Sequence, residues 1–420
     1  METNHFSTDG QVPMAKQPKA IQLKTSVAQD DMQPSLVKLN RDILIMIFDL
    51  LQETSKGSLQ AVALVSIDFY HLAEHSRHRH LRLDLGPSTI AASQNRLQHL
   101  ERQKLLAAVR FLDVKDPGFT TFKHGQQYIA DNSSNENINQ YTGCLDLIRN
   151  LIPAMTGLKD VSWKSSAHGD GNIPNTLLEA LRSDSKVRLH AKVGTQTLPV
   201  RHGFTGPESN FHKLQNNTNL SKLEAEIVYK DDTDCLEATK PLKRILLSCP
   251  NIRSLSLDIS LPQSGCMVYG PPDKYCGFGF VENEKLPPLE ELAISAYLWG
   301  HEPSGVQDPV YGGQMIGYPG KGSEMKYWTE NFDWSRLRRL KTAYVDFALK
   351  IMPMLTALKE VDFSGSGSDD DVVRFYQQCP TALEVIGAES LQSITLDGVL
   401  RHGRALRKLQ LHTVEDWGGE

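Results

Sequence analysis

A short template, apolar-x-x-apolar-x-apolar, recurs through most of this chain and limits its possible folds more than any other feature. It reads Val109-x-x-Leu112-x-Val114, Leu158-x-x-Val161-x-Trp163, Ile252-x-x-Leu255-x-Leu257, Leu289-x-x-Leu292-x-Ile294, Leu358-x-x-Val361-x-Phe363, Leu391-x-x-Ile394-x-Leu396 and Leu406-x-x-Leu409-x-Leu411. Partial copies sit at Leu220-x-x-Leu223 and Leu337-x-x-Leu340. The alternation at the end of each copy predicts a short strand with one buried face. Several copies follow an amphipathic stretch of helical period, as at 241–250 and 371–380. There Pro250 and Pro380, directly after Cys249 and Cys379, end both predicted helices at comparable points.

Helix, turn and strand, repeated, resembles the leucine-rich repeat, although the copies are unevenly spaced and separated by long loops. A unit of this kind cannot bury its own apolar edge and must stack on its neighbours. The resemblance implies an irregular α/β solenoid over 86–420 with a parallel sheet on its inner face. A generic α/β domain with parallel strands uses the same local grammar and is the alternative.

The bulk numbers agree with a globular chain. At 40% hydrophobic residues the sequence is too apolar for a wholly disordered protein, and a formal charge of −5 over 420 residues gives no electrostatic support for nucleic-acid or membrane-surface binding. The longest apolar run, Ile43 to Phe48, is far short of the ~18 residues that span a bilayer. Residues 1–33 are polar and aperiodic, which predicts a disordered leader with no secretory character. Six cysteines without a C-x-x-C pair suit reduced thiols. The expected location is therefore cytoplasmic or nuclear.

Residues 34–85 have a different texture and form a separate expected module, bounded by Gly86 and Pro87. Eight of the nine residues from Ile43 to Leu51 are apolar, so a helix here is hydrophobic nearly all round and must be covered nearly all round. A second helical stretch, 59–73, repeats the theme. About fifty residues cannot hide so much apolar surface alone, so some of it needs a cover from the rest of the chain or from a partner.

The pattern Leu39-x-x-Asp42-Ile43-Leu44-x-x-Ile47-Phe48-x-x-Leu51, followed by Leu59 and by Leu64-Val65-Ser66-x-x-Phe69-x-x-Leu72-Ala73, resembles an F-box. Asn40 stands where that family usually has Pro, Asp42 replaces Glu, and Phe69 replaces the common Trp. The resemblance implies a small all-α module that docks the Skp adaptor, and through it a cullin scaffold with a RING subunit. Carried over by position, Leu39, Asn40, Ile43, Leu44, Ile47, Phe48, Leu64 and Val65 are the expected adaptor contacts. The plain alternative is that these residues are the core of a small helical subdomain.

Candidate chemistry is sparse. His71 and His75 fall one helical turn apart, but no further ligand lies at metal spacing and Arg77 and Arg79 repel a cation, so basic groups closing a helix C-terminus are the better reading. The acidic runs 231–234 and 368–371 precede helical stretches and read as N-terminal caps. The loop 317–323 lacks the glycine spacing of a phosphate loop, and Gly322 occupies the place of its hydroxyl residue. No catalytic constellation, cofactor motif or metal site is found. The Gly-, Pro- and aromatic-rich insertion from Gly300 to Trp328 is a candidate recognition loop, with Trp299 and Trp328 as expected target contacts; a surface loop folded back over the repeat edge is the alternative.

The expected function is a non-catalytic substrate-recognition adaptor of a Skp-cullin-F-box ubiquitin ligase, whose repeat domain binds an unidentified target protein. A repeat-domain interaction scaffold with no ubiquitin role is the second expectation. An α/β enzyme survives only if a site is assembled from distant residues.

Overall fold

The period-two segments become strands because their alternate residues meet a helical layer on one side only. The computed structural model describes residues 39–116, 120–123, 126–129, 135–165, 173–182, 186–196, 208–228, 232–260, 275, 277–300, 318, 321–363, 369–390 and 392–412. The expected leader, 1–33, and nearly all of 301–320 lie outside them.

Three helices come first, α1 (Arg41–Thr54), α2 (Lys56–Ala63) and α3 (Ile67–His78). Each start is fixed locally by a side chain that accepts from a free amide: Asn40 from Asp42, Ser55 from Ser58 and Ser66 from Phe69. Asn40 thus marks the start of α1. The three helices share a small core of their own, built on Leu44, Phe48, Leu59, Ala63, Phe69, Leu72 and Ala73, in which Phe48 and Phe69 meet edge to face at 5.5 Å.

The remaining strands are β1 (His80–Asp84), β2 (Phe111–Asp116), β3 (Thr120–Lys123), β4 (Gln126–Ile129), β5 (Asp160–Ser165), β6 (Arg188–Gln196), β7 (Leu220–Val228), β8 (Ser254–Ser260), β9 (Glu291–Ala296), β10 (Arg339–Thr342), β11 (Glu360–Phe363), β12 (Val385–Ala388) and β13 (Lys408–Leu411). Between them run α4 (Ile90–Arg102), α5 (Asn135–Leu151), α6 (Asn175–Arg182), α7 (Glu208–Leu214), α8 (Asp232–Ser248), α9 (Glu324–Asn331), α10 (Val345–Ile351), α11 (Asp369–Gln378) and α12 (Leu396–His402). The molecule is α/β: apart from the antiparallel β3–β4 hairpin, eleven parallel strands form one sheet in the order β1, β2, β5 through β13. Strand order follows chain order throughout, without the reversal that defines a doubly wound sheet.

Burial is one-sided. Leu255, Leu257 and Ile259 of β8 are buried while Ser254, Ser256, Asp258 and Ser260 between them are half-buried, and β2 and β11 alternate in the same way. The template residues stand side by side across the sheet: Leu112 pairs with Val161, Val114 with Trp163, Leu255 with Leu292, and Leu257 with Ile294. The ladder shifts at β6–β7, between Leu189 and His190, and at β8–β9, between Leu257 and Asp258. The helices α8 and α11 end where the prolines require, with the Cys249 and Cys379 amides closing the last turns on Ile245 and Phe375 carbonyls.

Two expectations need correction. The described residues 392–396 of the Leu391-x-x-Ile394-x-Leu396 copy form no strand: Thr395 accepts a hydrogen bond from the Gly398 amide and starts α12, so a capping side chain overrides the apolar spacing. The first strand of the sheet, β1, lies inside the segment expected to be wholly helical.

Candidate docking surfaces

In the three-helix module, the core side chains leave a second apolar set with nothing over it. On α1, Ile43, Met46 and Leu50 share the outward face, spaced by three and four residues. The turn after α2 and the start of α3 expose Leu64, Val65, Ile67 and Tyr70; Leu64 is 86% exposed. Of the eight expected adaptor contacts, Leu39, Asn40, Ile43, Leu64 and Val65 are exposed and Ile47 is half-buried. Leu44 and Phe48 are not on the surface at all; they point into the module's core, because a helix apolar all round turns its most bulky ridge inward. Sequence reasoning missed Met46, Leu50, Ile67 and Tyr70, although the excess of apolar residues in 43–51 already implied an uncovered α1 face. An ion pair between Asp49 and Arg79 ties α1 to the start of the sheet, and the Arg79 guanidinium lies 5.8 Å from the Phe111 ring centre.

The expected target contacts are corrected more fully. Trp328 is 0% exposed and Trp299 only 7%; their rings meet edge to face at 5.3 Å in a cluster with Phe278, Phe332, Trp334 and Phe347. The aromatics flanking the insertion therefore build interior. Beside them Glu324 carries a wholly buried carboxyl. It accepts from the Tyr297 hydroxyl at 2.9 Å, from the Tyr275 hydroxyl, and from the Trp328 indole at 3.3 Å. Burial raises its pKa to about 8, against the pull of the Trp328 indole, the Gly279 and Phe280 amides and the Lys243 charge. Gly277 is required here, since a β-carbon at that position would sit 2.4 Å from the Glu324 carboxylate and 2.0 Å from the Tyr275 hydroxyl.

The face of the sheet away from the helices is charged and laddered. Arg339 bridges Glu291 at 2.7 Å and Glu360 at 3.2 Å, Lys341 lies 3.5 Å from Asp362, Lys192 3.1 Å from Glu226, and Arg188 2.7 Å from Asp160. Apart from the pair on the buried Asp160, these are solvent-exposed and contribute little stability each. They do fix long side chains across strands, and around Lys222, Glu291, Arg339, Lys341 and Glu360 they line a shallow concavity of about 460 Å³.

Of the histidine stretch, His78 is held by Glu74 at 3.3 Å and His71 and His75 are exposed. Partial desolvation of its ring, with Arg41 and Arg110 nearby, lowers the His75 pKa. Among the described residues no group of three His, Cys, Asp or Glu side chains is placed to hold a metal ion, and no helix is long and apolar enough to cross a membrane. Asp369, Asp370 and Asp371 form the first turn of α11, where acidic charge suits the helix dipole. No protein-family model matches the chain, and no curated protein matches it either.

Proposed function

We propose that this chain is a substrate-recognition adaptor of a Skp-cullin-F-box ubiquitin ligase, with α1 to α3 as an F-box-like docking module and the sheet as an irregular leucine-rich-repeat-like solenoid that presents a target protein. The observation that carries the reading is the second apolar set: with the module's own core already closed, Ile43, Met46, Leu64, Val65 and Ile67 still stand in solvent. The F-box-like spacing of residues 39–73 supplies the identity of the cover. For the solenoid, the support is a sheet whose strand order is chain order and whose burial is one-sided, which suits stacked units better than a doubly wound core.

Such an adaptor needs no nucleophile. Holding a target beside a charged ubiquitin-conjugating enzyme raises the effective concentration of its lysines, so interfaces do the chemistry's positioning.

The test is co-expression with the Skp adaptor, comparing wild type with Leu64→Asp and Val65→Asp. These side chains are exposed, so the substitutions leave the fold intact. Wild type is expected to co-purify and both variants to lose binding. A wild type that does not co-purify sinks the ligase reading and leaves the scaffold reading; variants that still bind sink the assignment of this face.

A further inference from the structure

The face of the sheet that turns away from the helices changes sign along its length. On β1, β2, β5 and β6 its cations are Arg82, Lys115, Lys164, Arg188 and Lys192. They face three acids, Asp84, Asp113 and Asp160. From β7 to β13 the acids on this face lead instead, six to four, so the two halves carry opposite net charge. The order of the charges differs as well. In the second half unlike charges alternate from strand to strand, as where Arg339 stands between Glu291 and Glu360. In the first half Lys115, Lys164 and Lys192 lie in register on the adjacent strands β2, β5 and β6, like beside like. Neighbouring strands are about 4.8 Å apart, and like charges set directly opposite each other destabilise a sheet.

The acids of the first half are already engaged. Asp84 lies 3.6 Å from Lys115, Asp113 3.3 Å from Lys164, and Asp160 is taken by Arg188 at 2.7 Å and His190 at 3.1 Å. Two guanidiniums are left over at the β1 edge. The Arg96 side chain of α4 donates to the Arg82 carbonyl at 3.3 Å, and among the described residues neither Arg96 nor Arg82 has a carboxylate within ion-pair distance. Partial desolvation of its ring and then the charge of Arg82, with Lys164 and Arg96 adding to them, hold the His80 pKa below its usual value against the pull of Asp113. The sequence of the rest of the chain near these strands does not redress the excess. Residues 117–134, 166–172 and 197–207, which follow β2, β5 and β6, carry Lys123 and Arg201 against Asp131 and Asp170, and residues 1–38 hold four acids and four lysines.

We propose that the β1 to β6 half of this face is where the target docks, and that it takes an acidic segment of that protein, one that sets two or three Asp or Glu side chains within about 10 Å over the lysine row. This rests on the reading of the sheet as the part that presents a target. Carboxylates over the row turn repulsion between neighbouring lysines into shared attraction. Arg82 and Arg96 add forked donors, which pair with a carboxylate through two parallel bonds. The acid-led half from β7 to β13 repels the same segment and so fixes which end of the face it occupies.

Fluorescence anisotropy of the full chain with a dye-labelled Glu-Ser repeat peptide of about 12 residues tests this at about 50 mM salt, where exposed charges are weakly screened. The wild type is expected to bind with a dissociation constant under about 100 µM, and Lys164→Glu to weaken binding at least about tenfold. Lys164 is exposed and the substitution sets an acid between two lysines, so the urea midpoint should not fall. Lys408→Glu makes the same change of charge on β13, eight strands from β5 in the sheet. It should leave binding within about twofold, because it acts from beyond the screening length. A wild type that ignores the peptide overturns the proposal, as does equal weakening by the two variants, which reports bulk charge alone. Tighter binding of a single-stranded DNA of the same charge overturns it in favour of a nucleic acid. Binding that appears only after residues 413–420 are removed makes that acidic segment the occupant, and the proposal also fails. The Skp adaptor is added to the same samples. A chain that holds the adaptor and ignores the peptide fails this proposal alone, and one that holds the peptide without the adaptor fails the ligase reading alone.

Discussion

Glu324 sits at the first position of α9 with Ser323 as its cap, and its carboxyl joins that helix to the segment holding Tyr275 and Gly277. Because its folded pKa, about 8, lies above the ordinary carboxyl value of 4.5, the folded state holds this proton more tightly than the unfolded state does. The stabilisation is complete below pH 4.5 and is lost as pH rises through about 8, at no more than about 1.4 kcal/mol per pH unit. Urea midpoints measured from pH 5 to pH 8 should therefore fall more for wild type than for Glu324→Gln, which keeps an oxygen for the two tyrosines and has no charge to bury; parallel curves would refute the account. Trp328→Ala should cost about 3–5 kcal/mol in the same measurement, as for any large aromatic removed from a packed interior. That expectation replaces the recognition role suggested by sequence. Aromatic residues are enriched both in binding hot spots and in cores, and a linear pattern around 299–328 carries no sign of which side of the chain faces water.

At the scale of elements, α1 shows how much one helix can be read from its spacing and where the reading stops. That it is helical, short and over-supplied with apolar residues follows from 41–51; which of its two apolar ridges faces inward depends on α2 and α3. The distinction is measurable. Phe48→Ala, 2% exposed and packed on Phe69, should destabilise the module by about 3–5 kcal/mol, whereas Leu64→Asp should change stability by under about 0.5 kcal/mol while abolishing adaptor binding. Circular dichroism melts beside the co-purification assay separate the two; a large stability loss in Leu64→Asp would place that side chain in the core. The strands follow the same division. The template found β2, β5, β8, β9, β11 and β13 because each is preceded by a turn residue such as Val109, Leu158 or Ile252 that plugs the space beneath it. It passed over β1 and β6, where His78 and Lys186 occupy that place, and β12, where Ala388 is too small to register as a strand apex beside Leu383 and Ile386.

Across the whole molecule, a sheet assembled in chain order confines each core residue to its neighbours. Phe363 of β11 is 0% exposed and packs on Phe375 of α11 at 4.9 Å and on Tyr376 at 5.5 Å, and the Tyr376 hydroxyl donates to the Gly387 carbonyl of β12 at 2.7 Å. Everything this ring stabilises thus lies within one repeat on either side. Removing it as Phe363→Ala should open β10 to β13 with α11 and α12 by a few kcal/mol and leave β2, β5 and α5 unaffected, because no side chain spans the intervening strands. Native-state hydrogen exchange resolves this directly: amides of β11 and β12 should lose most of their protection while those of β2 and β5 keep theirs. A doubly wound domain with one central core would respond otherwise, losing protection in all eleven strands together. Uniform loss would therefore overturn the stacked-unit reading of the sheet.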